Sequence, residues 1–220
     1  MKGNVTEVID GDTVVIEDSG KVRLMGVDST EVGNECYEEA KEWLTEKVNG
    51  TEVKVETVGE GTYGRNLSYI FKEERNINKK LVREGLAYTH YFDPGEKYID
   101  KMIEAERRAI ENNRGCLWNK NMTASNSVHP CEAEKYVSEV EIVQGEVSEV
   151  NRGDGITYLN FGGKYPDNCF AAIIWDDYQG RFSRRLESYE NKTVRTEGLI
   201  TTYKNQPRIQ LRDTGQIKVV

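Results

Sequence analysis

Hydrophobic and polar residues alternate over several short stretches of this chain, with the period of two that is typical of half-buried β-strands. In the first half, such stretches lie around residues 8–15, 22–27, 53–55 and 67–71. In the second half, alternating or wholly apolar stretches lie at residues 140–147, 158–162, 170–175, 194–200 and 209–211. The pattern therefore predicts a mainly β chain with two groups of strands.

Helical periodicity, with apolar residues three or four positions apart, interrupts the strands in the first half. It predicts helices over residues 35–48, 76–84 and 97–112, with Gly85 at the end of the second helix. In the second half, one amphipathic stretch at residues 181–189 lies between the third and fourth strands. The predicted helices are thus concentrated in the first half.

The apolar pattern lapses between residues 119 and 138, where small and polar residues, together with Pro130, give the composition of a linker. A length of 220 residues fits one large domain or two small ones. We therefore predict two domains, residues 1–118 and 139–220, which are joined by the segment 119–138.

The formal net charge of the chain is −8, and residues 1–118 contribute −7 of it. Proteins that bind nucleic acid through bulk charge usually present a basic face, so this balance argues against that mode of binding. A phosphodiesterase can still meet a phosphate locally, with a bound cation and a few arginines. From the charge we expect the first domain to have weak, salt-sensitive affinity for such a substrate.

Four carboxylates lie in or next to the first strands: Asp10, Asp12, Asp28 and Glu31. Asp10 and Asp12 are two residues apart, so an extended chain projects both side chains to one face, and the hairpin can return Asp28 to the same rim. Carboxylate oxygens bind hard cations, and a loose, carboxylate-rich loop favours Ca²⁺ over Mg²⁺. The alternative is an ordinary Asp-Gly turn with solvated acids.

Two arginines accompany these acids. Arg23 shares strand parity with Met25 and Val27, so packing holds its stem, and a fixed guanidinium beside a cation suits a phosphate. Arg65 follows Gly64 in a Tyr-Gly-Arg turn that presents it toward the same rim. Two guanidiniums can stabilise the extra charge of a five-coordinate phosphate. Read alone, however, Tyr-Gly-Arg is more often a surface turn.

Four motifs occur in one order along the first half: VIDGDT at 8–13, VRLMGVDSTE at 22–31, YGRNLSY at 63–69 and LVREGLA at 81–87. In their order and spacing, residues 1–118 resemble the staphylococcal nuclease (thermonuclease) family. The resemblance implies a five-stranded OB-type barrel with three helices. It also implies a calcium-dependent endonuclease that hydrolyses DNA and RNA and leaves 3′-phosphate ends.

The same resemblance implies a role for individual residues. The implied metal site consists of Asp12, Asp28 and the backbone carbonyl of Ser29, with Asp10 in support. The implied catalytic residues are Glu31 as general base, and Arg23 and Arg65 as stabilisers of the transition state. The implied substrate-binding residues are Tyr63 and Tyr91. Thr30 stands where the family usually has proline, and Gly61 replaces a common acid, but neither change removes one of these groups.

The alternative function is a non-catalytic scaffold of nuclease-like fold that binds nucleic acid or protein. Such copies normally lack several of the acids or arginines, whereas this chain has all of them. We therefore favour the enzyme. The expected partners are DNA and RNA, with single strands preferred, no membrane, and a monomeric chain.

Five strands with an insertion make residues 139–220 look like an OB-fold of the nucleic-acid-binding kind, so the chain is predicted to contain two OB-fold barrels in tandem. The aromatic and basic residues available for a binding groove are Tyr158, Phe161, Tyr165, Trp175, Tyr178, Arg181, Arg184, Arg185, Tyr203 and Arg208. Some of these belong to the core of any such barrel. An OB-fold can equally serve protein contacts, which leaves the ligand of this domain open.

The four cysteines lack the Cys-x-x-Cys spacing of zinc sites. Cys169 lies in an apolar stretch and is most simply a buried thiol, while one disulfide among Cys36, Cys116 and Cys131 stays an open alternative. No stretch reaches the length of a membrane span, and the N-terminus lacks a leader pattern. The location is open between export after removal of a leader and the cytoplasm.

Overall fold

The computed structural model describes residues 1–61, 64–90, 96–120 and 126–220. They form two compact units, Met1–Leu117 and Trp118–Val220, and each unit contains its own barrel. Among the described residues, no helix is long and apolar enough to cross a membrane.

The first unit is built on a closed five-stranded barrel. The strands of this unit are β1 (Lys2–Val8), β2 (Thr13–Ile16), β3 (Gly20–Leu24), β4 (Val27–Asp28), β5 (Glu52–Glu60), β6 (Asn66–Lys72), β7 (Arg75–Asn76) and β8 (Tyr88–Thr89). Strands β3, β2, β1, β5 and β6 are neighbours in that order, and the parallel pairing of β3 with β6 closes the sheet. Strand β7 extends the sheet beyond β6, while β4 pairs separately with β8. The predicted barrel is confirmed.

In the described part of this unit, three α-helices accompany the barrel: α1 (Tyr37–Val48), α2 (Ile77–Arg83) and α3 (Ile99–Glu111). Each lies inside the range that the sequence predicts. Helix α2 begins after Asn76, whose side chain accepts a hydrogen bond from the backbone N–H of Lys79 at 2.9 Å. It ends before Gly85, which adopts the left-handed conformation with a φ of 69°.

The apolar faces of the helices and the inward faces of the strands share one core. Ala40, Leu44 and Val48 of α1 are fully buried against the barrel, as their spacing predicts. Tyr69 of β6 packs edge-on against Tyr98, with the ring centroids 4.7 Å apart. This core fixes the strand ends from which the polar residues of the first motifs project.

The second unit is a second closed five-stranded barrel. Its elements are β9 (Val140–Arg152), β10 (Ile156–Phe161), β11 (Phe170–Trp175), α4 (Asp176–Gln179), β12 (Thr193–Tyr203), β13 (Gln206–Gln210) and β14 (Ile217–Val219). Strands β12, β9, β10, β11 and β13 follow one another, and the pairing of β13 with β12 closes the sheet. The prediction of two barrels in tandem is therefore confirmed. The predicted amphipathic stretch 181–189 contains only a short 3₁₀ helix, Leu186–Tyr189.

Part of the predicted linker 119–138 belongs to the second barrel. Pro130–Tyr136 forms a 3₁₀ helix in which Ala133 is fully buried. Val128 pairs with Val143 of β9, so this stretch is attached to the sheet. The sequence pattern missed this packing because a short 3₁₀ segment has neither helical nor strand periodicity.

The cysteines differ from the sequence-based expectation. Two disulfides are present, Cys36–Cys116 in the first unit and Cys131–Cys169 in the second. The interpretation of Cys169 as a buried free thiol is therefore wrong, and Cys131 pairs with it. The hairpin between β10 and β11 returns Cys169 to the base of β10, where its N–H donates to the carbonyl of Phe161 at 3.0 Å. Such pairing depends on the closure of the second barrel, which spacing alone does not reveal.

Candidate active site of the first barrel

The predicted acid cluster lies where β1 turns into β2 and where β4 follows β3. Gly11 allows these segments to approach closely, because a Cβ atom at this position would stand 2.7 Å from Ser29 Cβ and 2.8 Å from Ala40 Cβ. Only glycine therefore fits between α1 and the segment that carries Ser29.

Asp12 is the centre of the cluster, with a side chain that is only 1% exposed. Its Oδ2 accepts hydrogen bonds from the backbone N–H of Ser29 at 2.8 Å and from the Ser29 hydroxyl at 3.0 Å. Its Oδ1 accepts from the Thr13 hydroxyl at 3.1 Å and from the guanidinium of Arg23. Both oxygens of this buried carboxylate are therefore satisfied.

The guanidinium of Arg23 bridges two acids. One Nη atom donates to Asp12, and the other lies 3.2 Å from Asp28 Oδ1 and 3.3 Å from the carbonyl oxygen of Val27. The side chains of Arg23 and Asp28 are 22% and 33% exposed, so this edge of the cluster faces solvent. The structure thus brings Asp12, Arg23 and Asp28 together, as the motifs suggest.

Burial raises the pKa of the Asp12 carboxyl to about 6, although the Arg23 guanidinium and the Ser29 N–H act in the opposite direction. The neighbouring carboxylate of Asp10 adds to the increase. At neutral pH most Asp12 side chains still carry a negative charge. The cluster therefore keeps an anionic centre under ordinary conditions.

Asp10 supports the loop that presents Asp12. Its Oδ1 accepts a hydrogen bond from the backbone N–H of Asp12 at 3.0 Å, the geometry of an Asx turn. The side chain of Asp10 is thus placed beside the Asp12 backbone. It acts on the cluster through the conformation of its neighbour.

Glu31 lies three residues beyond Asp28, in the loop that leads to α1. Its carbonyl oxygen accepts a hydrogen bond from the N–H of Asn34 at 3.0 Å, which fixes the backbone, and its side chain is exposed. Among the described residues, the Glu31 carboxylate has no hydrogen bond or ion pair with the protein. The structure therefore leaves this carboxylate open to water and does not bring it into contact with Arg23.

Arg65 is half-buried directly before β6. Because β6 runs parallel to β3 with Leu67 beside Arg23, Arg65 lies two residues before the level of Arg23 on the neighbouring segment. Tyr63 and Tyr91, which the resemblance assigns to the substrate, lie outside the described residues. Their roles stay predictions.

Asn78 is a buried polar residue that the motif analysis missed. Its side chain donates to the carbonyl oxygens of Met25 at 2.9 Å and Ser68 at 3.1 Å, and accepts from the N–H of Ile70 at 3.0 Å. It thereby ties the end of β3 to β6. The sequence did contain one indication of this role, because Asn78 is a polar residue between the apolar residues Ile77 and Leu81 of α2.

Glu106 is the second buried residue that sequence reasoning missed. It is 1% exposed on α3, and its Oε1 accepts a hydrogen bond from the N–H of Thr89 at 2.8 Å. Thr89 belongs to β8, and the preceding residue of that strand, Tyr88, pairs with Asp28 of β4. Glu106 therefore positions the strand that supports Asp28.

The acids fit a divalent cation in chemistry, although no ready-made ligand cage is present. Within the described parts of the chain, no group of three or more His, Cys, Asp or Glu side chains is assembled for a metal. Asp12 and Asp28 nevertheless contact one guanidinium, so their oxygens lie within reach of a single cation. Hard carboxylate and carbonyl oxygens are the ligands that Ca²⁺ takes, and such an ion would compete with Arg23 for both acids.

The first half of the chain is similar in sequence to known nucleases. The family model described as staphylococcal nuclease homologue matches residues 21–120. The thermonuclease of Staphylococcus hyicus is 32% identical over 119 residues, which cover 48% of this chain and 69% of that protein. The thermonuclease of Staphylococcus intermedius is 34% identical over 116 residues, with the same coverage. Endonuclease YncB of Bacillus subtilis is 33% identical over 138 residues, which cover 56% of this chain and 65% of that protein.

A closed barrel with buried and rim carboxylates around one arginine, together with these similarities, defines a nuclease-type hydrolase. The matched region includes Arg23, Asp28, Glu31 and Arg65, while Asp12 lies just before it. The chain belongs to the staphylococcal nuclease family.

Proposed function

We propose that the first barrel is a calcium-dependent endonuclease that hydrolyses phosphodiester bonds of DNA and RNA and leaves 3′-phosphate ends. The observation that carries the proposal is the Arg23 guanidinium, which two acids hold at a solvent-facing rim beside the loop of Glu31. The names of the relatives, two thermonucleases and an endonuclease, support the same reaction.

In the proposed mechanism, Glu31 takes a proton from a water molecule while the water oxygen forms a bond to phosphorus. The bond between phosphorus and the 5′ oxygen breaks, the electron pair leaves with that oxygen, and the oxygen takes up a proton from solvent. The phosphate then remains on the 3′ oxygen. An exposed carboxylate in a loop anchored by its own backbone is suited to this proton transfer.

Arg23 and Arg65 would stabilise the phosphate as negative charge accumulates on it. A guanidinium has five N–H donors, and the contacts of Arg23 with Asp12, Asp28 and Val27 leave donors for a phosphate. The Val27 carbonyl also accepts from this guanidinium, so Arg23 would keep an anchor at the rim when a cation takes the two acids. Tyr63 and Tyr91 would position the phosphate.

Asp12, Asp28 and the Ser29 carbonyl would hold the Ca²⁺, with Asp10 supporting the Asp12 backbone as it does here. When bound, the ion would supply positive charge beside the scissile phosphate. This charge would compensate for the acidic balance of the first domain, which otherwise repels the substrate.

We expect the purified chain to hydrolyse single-stranded DNA and RNA with Ca²⁺, to do so more slowly with Mg²⁺, and to lose activity with chelator. Mg²⁺ demands a stricter octahedron than two acids on separate segments of the chain supply. Product ends are identified by their resistance to ligation until a 3′-phosphatase is added. Binding of nucleic acid without cleavage under every metal would instead support the alternative, a non-catalytic scaffold of nuclease-like fold.

For the second barrel we infer a single-strand binding role. A cavity of about 730 Å³ on this unit is lined by Tyr158, Tyr165 and Tyr203, of which Tyr165 and Tyr203 are 68% and 55% exposed. The guanidinium of Arg208 lies 4.8 Å from the centre of the Tyr203 ring. Exposed aromatic rings beside a cation are suited to stacked bases and their phosphates.

Part of the predicted binding set contributes to the barrel interior instead. Phe161 and Tyr178 are buried, and the Arg181 side chain is largely buried against the Tyr178 ring at 4.8 Å. The inward parity of Phe161 on β10 explains its burial, since Leu159, two residues earlier, is buried as well. Fewer aromatic and basic residues are therefore exposed for binding than the sequence suggested.

We expect the Tyr165→Ala/Tyr203→Ala variant to bind a 20-nucleotide single strand at least tenfold more weakly, because each lost stacking contact costs about 1–3 kcal/mol. Its rate on a trinucleotide should be unchanged. Fluorescence anisotropy and initial rates check the two parts. Tyr136→Ala, a half-buried tyrosine outside the cavity lining, is the control. Unchanged affinity of the double variant would assign the second barrel to protein contacts or to none.

A further inference from the structure

A second hollow, on the first unit, is lined by an unusual concentration of cations. Its volume is about 540 Å³. We define the basic groove by the five cationic residues of its wall: Arg75, Lys79, Lys80, Arg83 and Lys101. They come from β7, α2 and α3, whereas the acid cluster lies between β1, β3 and β4. The groove is therefore distinct from the proposed active site.

Among the described residues, no ion pair neutralises the cations of the basic groove. In the described ranges, none of the five forms a salt bridge. Two acids also line the hollow, but Glu84 is engaged by Arg114 at 3.4 Å. The residues that line the hollow thus carry an excess of positive charge on a domain whose net charge is −7.

This arrangement is unfavourable for the isolated protein. Lys79 and Arg83 are four residues apart on α2, where like charges repel each other and destabilise a helix. Lys79 and Lys80 are half-buried rather than fully extended into water, and Lys80 Nζ lies 5.9 Å from the Trp43 ring centre. Repelling charges that are held in place around a hollow provide a binding surface for a polyanion.

The groove is linked to the proposed active site by a rigid strand. Leu67, which lies beside Arg23 in the register, and Phe71, which lines the groove, are both on β6. Four residues of extended strand span about 13 Å. Successive phosphates of a strand in a duplex advance about 3.4 Å along the axis, so this distance corresponds to about four stacked nucleotides.

We propose that the basic groove is an exosite that holds the phosphate backbone of the substrate several nucleotides from the bond that is cut. The proposal rests on the function proposed above, since it names how that substrate is held. A nucleic-acid strand fits the groove better than a lipid surface does. The exposed large apolar side chains that are described on the first unit, Met1, Val32 and Val58, do not line the groove and offer no insertion site there.

The test compares Lys79→Gln/Arg83→Gln with Lys2→Gln/Arg108→Gln, which removes two cations outside the groove. Glutamine is a good helix former and relieves the repulsion on α2, so the groove variant should fold at least as well as the parent chain. The substrates are a 20-nucleotide single strand and a trinucleotide that is too short to reach the groove. Rates are measured with Ca²⁺ at several salt concentrations.

For the 20-mer, we expect the groove variant to lose roughly fivefold to tenfold in kcat/KM at low salt, mainly through KM. The negative slope of log(kcat/KM) against log[salt] should become shallower by about 1.4, or 0.7 for each lost phosphate contact on a single strand. Cleavage of the trinucleotide and all rates of the control variant should be unchanged. An equal loss on both substrates, or an unchanged slope, would overturn the proposal.

The two proposals fail in different ways. If the parent chain cleaves neither substrate, the nuclease proposal fails, and the salt slope of 20-mer binding by anisotropy then decides on the groove alone. If the slope is unchanged but the groove variant no longer sediments with phosphatidylserine vesicles, the groove binds a membrane surface and the exosite proposal is wrong.

Discussion

Replacing Glu31 with glutamine is expected to lower kcat on single-stranded DNA by about 10²- to 10⁴-fold, the contribution of a positioned general base. The change removes the proton acceptor and keeps the size of the side chain. The Glu31 side chain is exposed and has no protein partner among the described residues. The substitution should therefore leave the stability of the fold unchanged. Affinity for nucleic acid should stay nearly the same.

Single-turnover cleavage and anisotropy, each with saturating Ca²⁺, separate these effects for Glu31→Gln. Glu38→Gln serves as the matched control, because Glu38 is an exposed acid in the first turn of α1 and is only seven residues away. Full activity in Glu31→Gln would remove Glu31 from the proposed mechanism. A parallel loss of Ca²⁺ affinity would make it a metal ligand instead.

The second large effect concerns stability. Burial raises the pKa of Glu197 to about 8, although the backbone N–H and the positive charge of Lys120 lower it. The side chain is 2% exposed on β12, and among the described residues its Oε1 has no hydrogen-bond partner. Between pH 4.5 and about 8, the folded second barrel therefore binds more protons than the unfolded chain. Its stability must fall as the pH rises through this window.

Glu197→Gln is expected to remove this decline, because glutamine stays neutral. A pKa difference is worth ~1.4 kcal/mol per unit, so the variant should gain a few kcal/mol in the free energy of unfolding of the second barrel at pH 8. At pH 4.5 the gain should vanish. Urea midpoints of this barrel, measured by pulse proteolysis at several pH values, check the result. Glu146→Gln, at an exposed acid, is the control. An equal gain in stability at both pH values would contradict the titration of Glu197.

The sequence was sufficient for the three α-helices of the first unit and for most barrel strands, because each has its own period. Helix α1 lies within the predicted range 35–48, and its stripe of Ala40, Leu44 and Val48 faces the core. Those periods do not reveal which strands pair, so they did not predict that strands distant in sequence close each barrel. The family resemblance predicted a closed barrel for the first unit. The number of strands predicted a closed barrel for the second unit.

The candidate site was predictable where a motif concentrates its groups and unpredictable where the groups act from a distance. Asp12, Arg23 and Asp28 lie within seventeen positions of each other and meet as expected. Asn78 and Glu106 act through backbone groups of other elements, and these contacts exist only after the chain has folded. The pairing of Cys131 with Cys169 was missed for the same reason.

The bond between Cys36 and Cys116 gives the first unit the topology of a ring with a tail, because it joins residues 80 positions apart. Arg65 and all three helices lie within the ring, whereas Asp12, Arg23 and Glu31 lie on the tail that precedes it. A single proteolytic cut inside the ring would leave both ends covalently attached. A cut between Glu31 and Cys36 would leave the acids and Arg23 on a peptide that only non-covalent contacts hold to the ring. The disulfide therefore keeps Arg65 covalently attached to the unit after a single cut in the ring. It gives no such protection to Arg23.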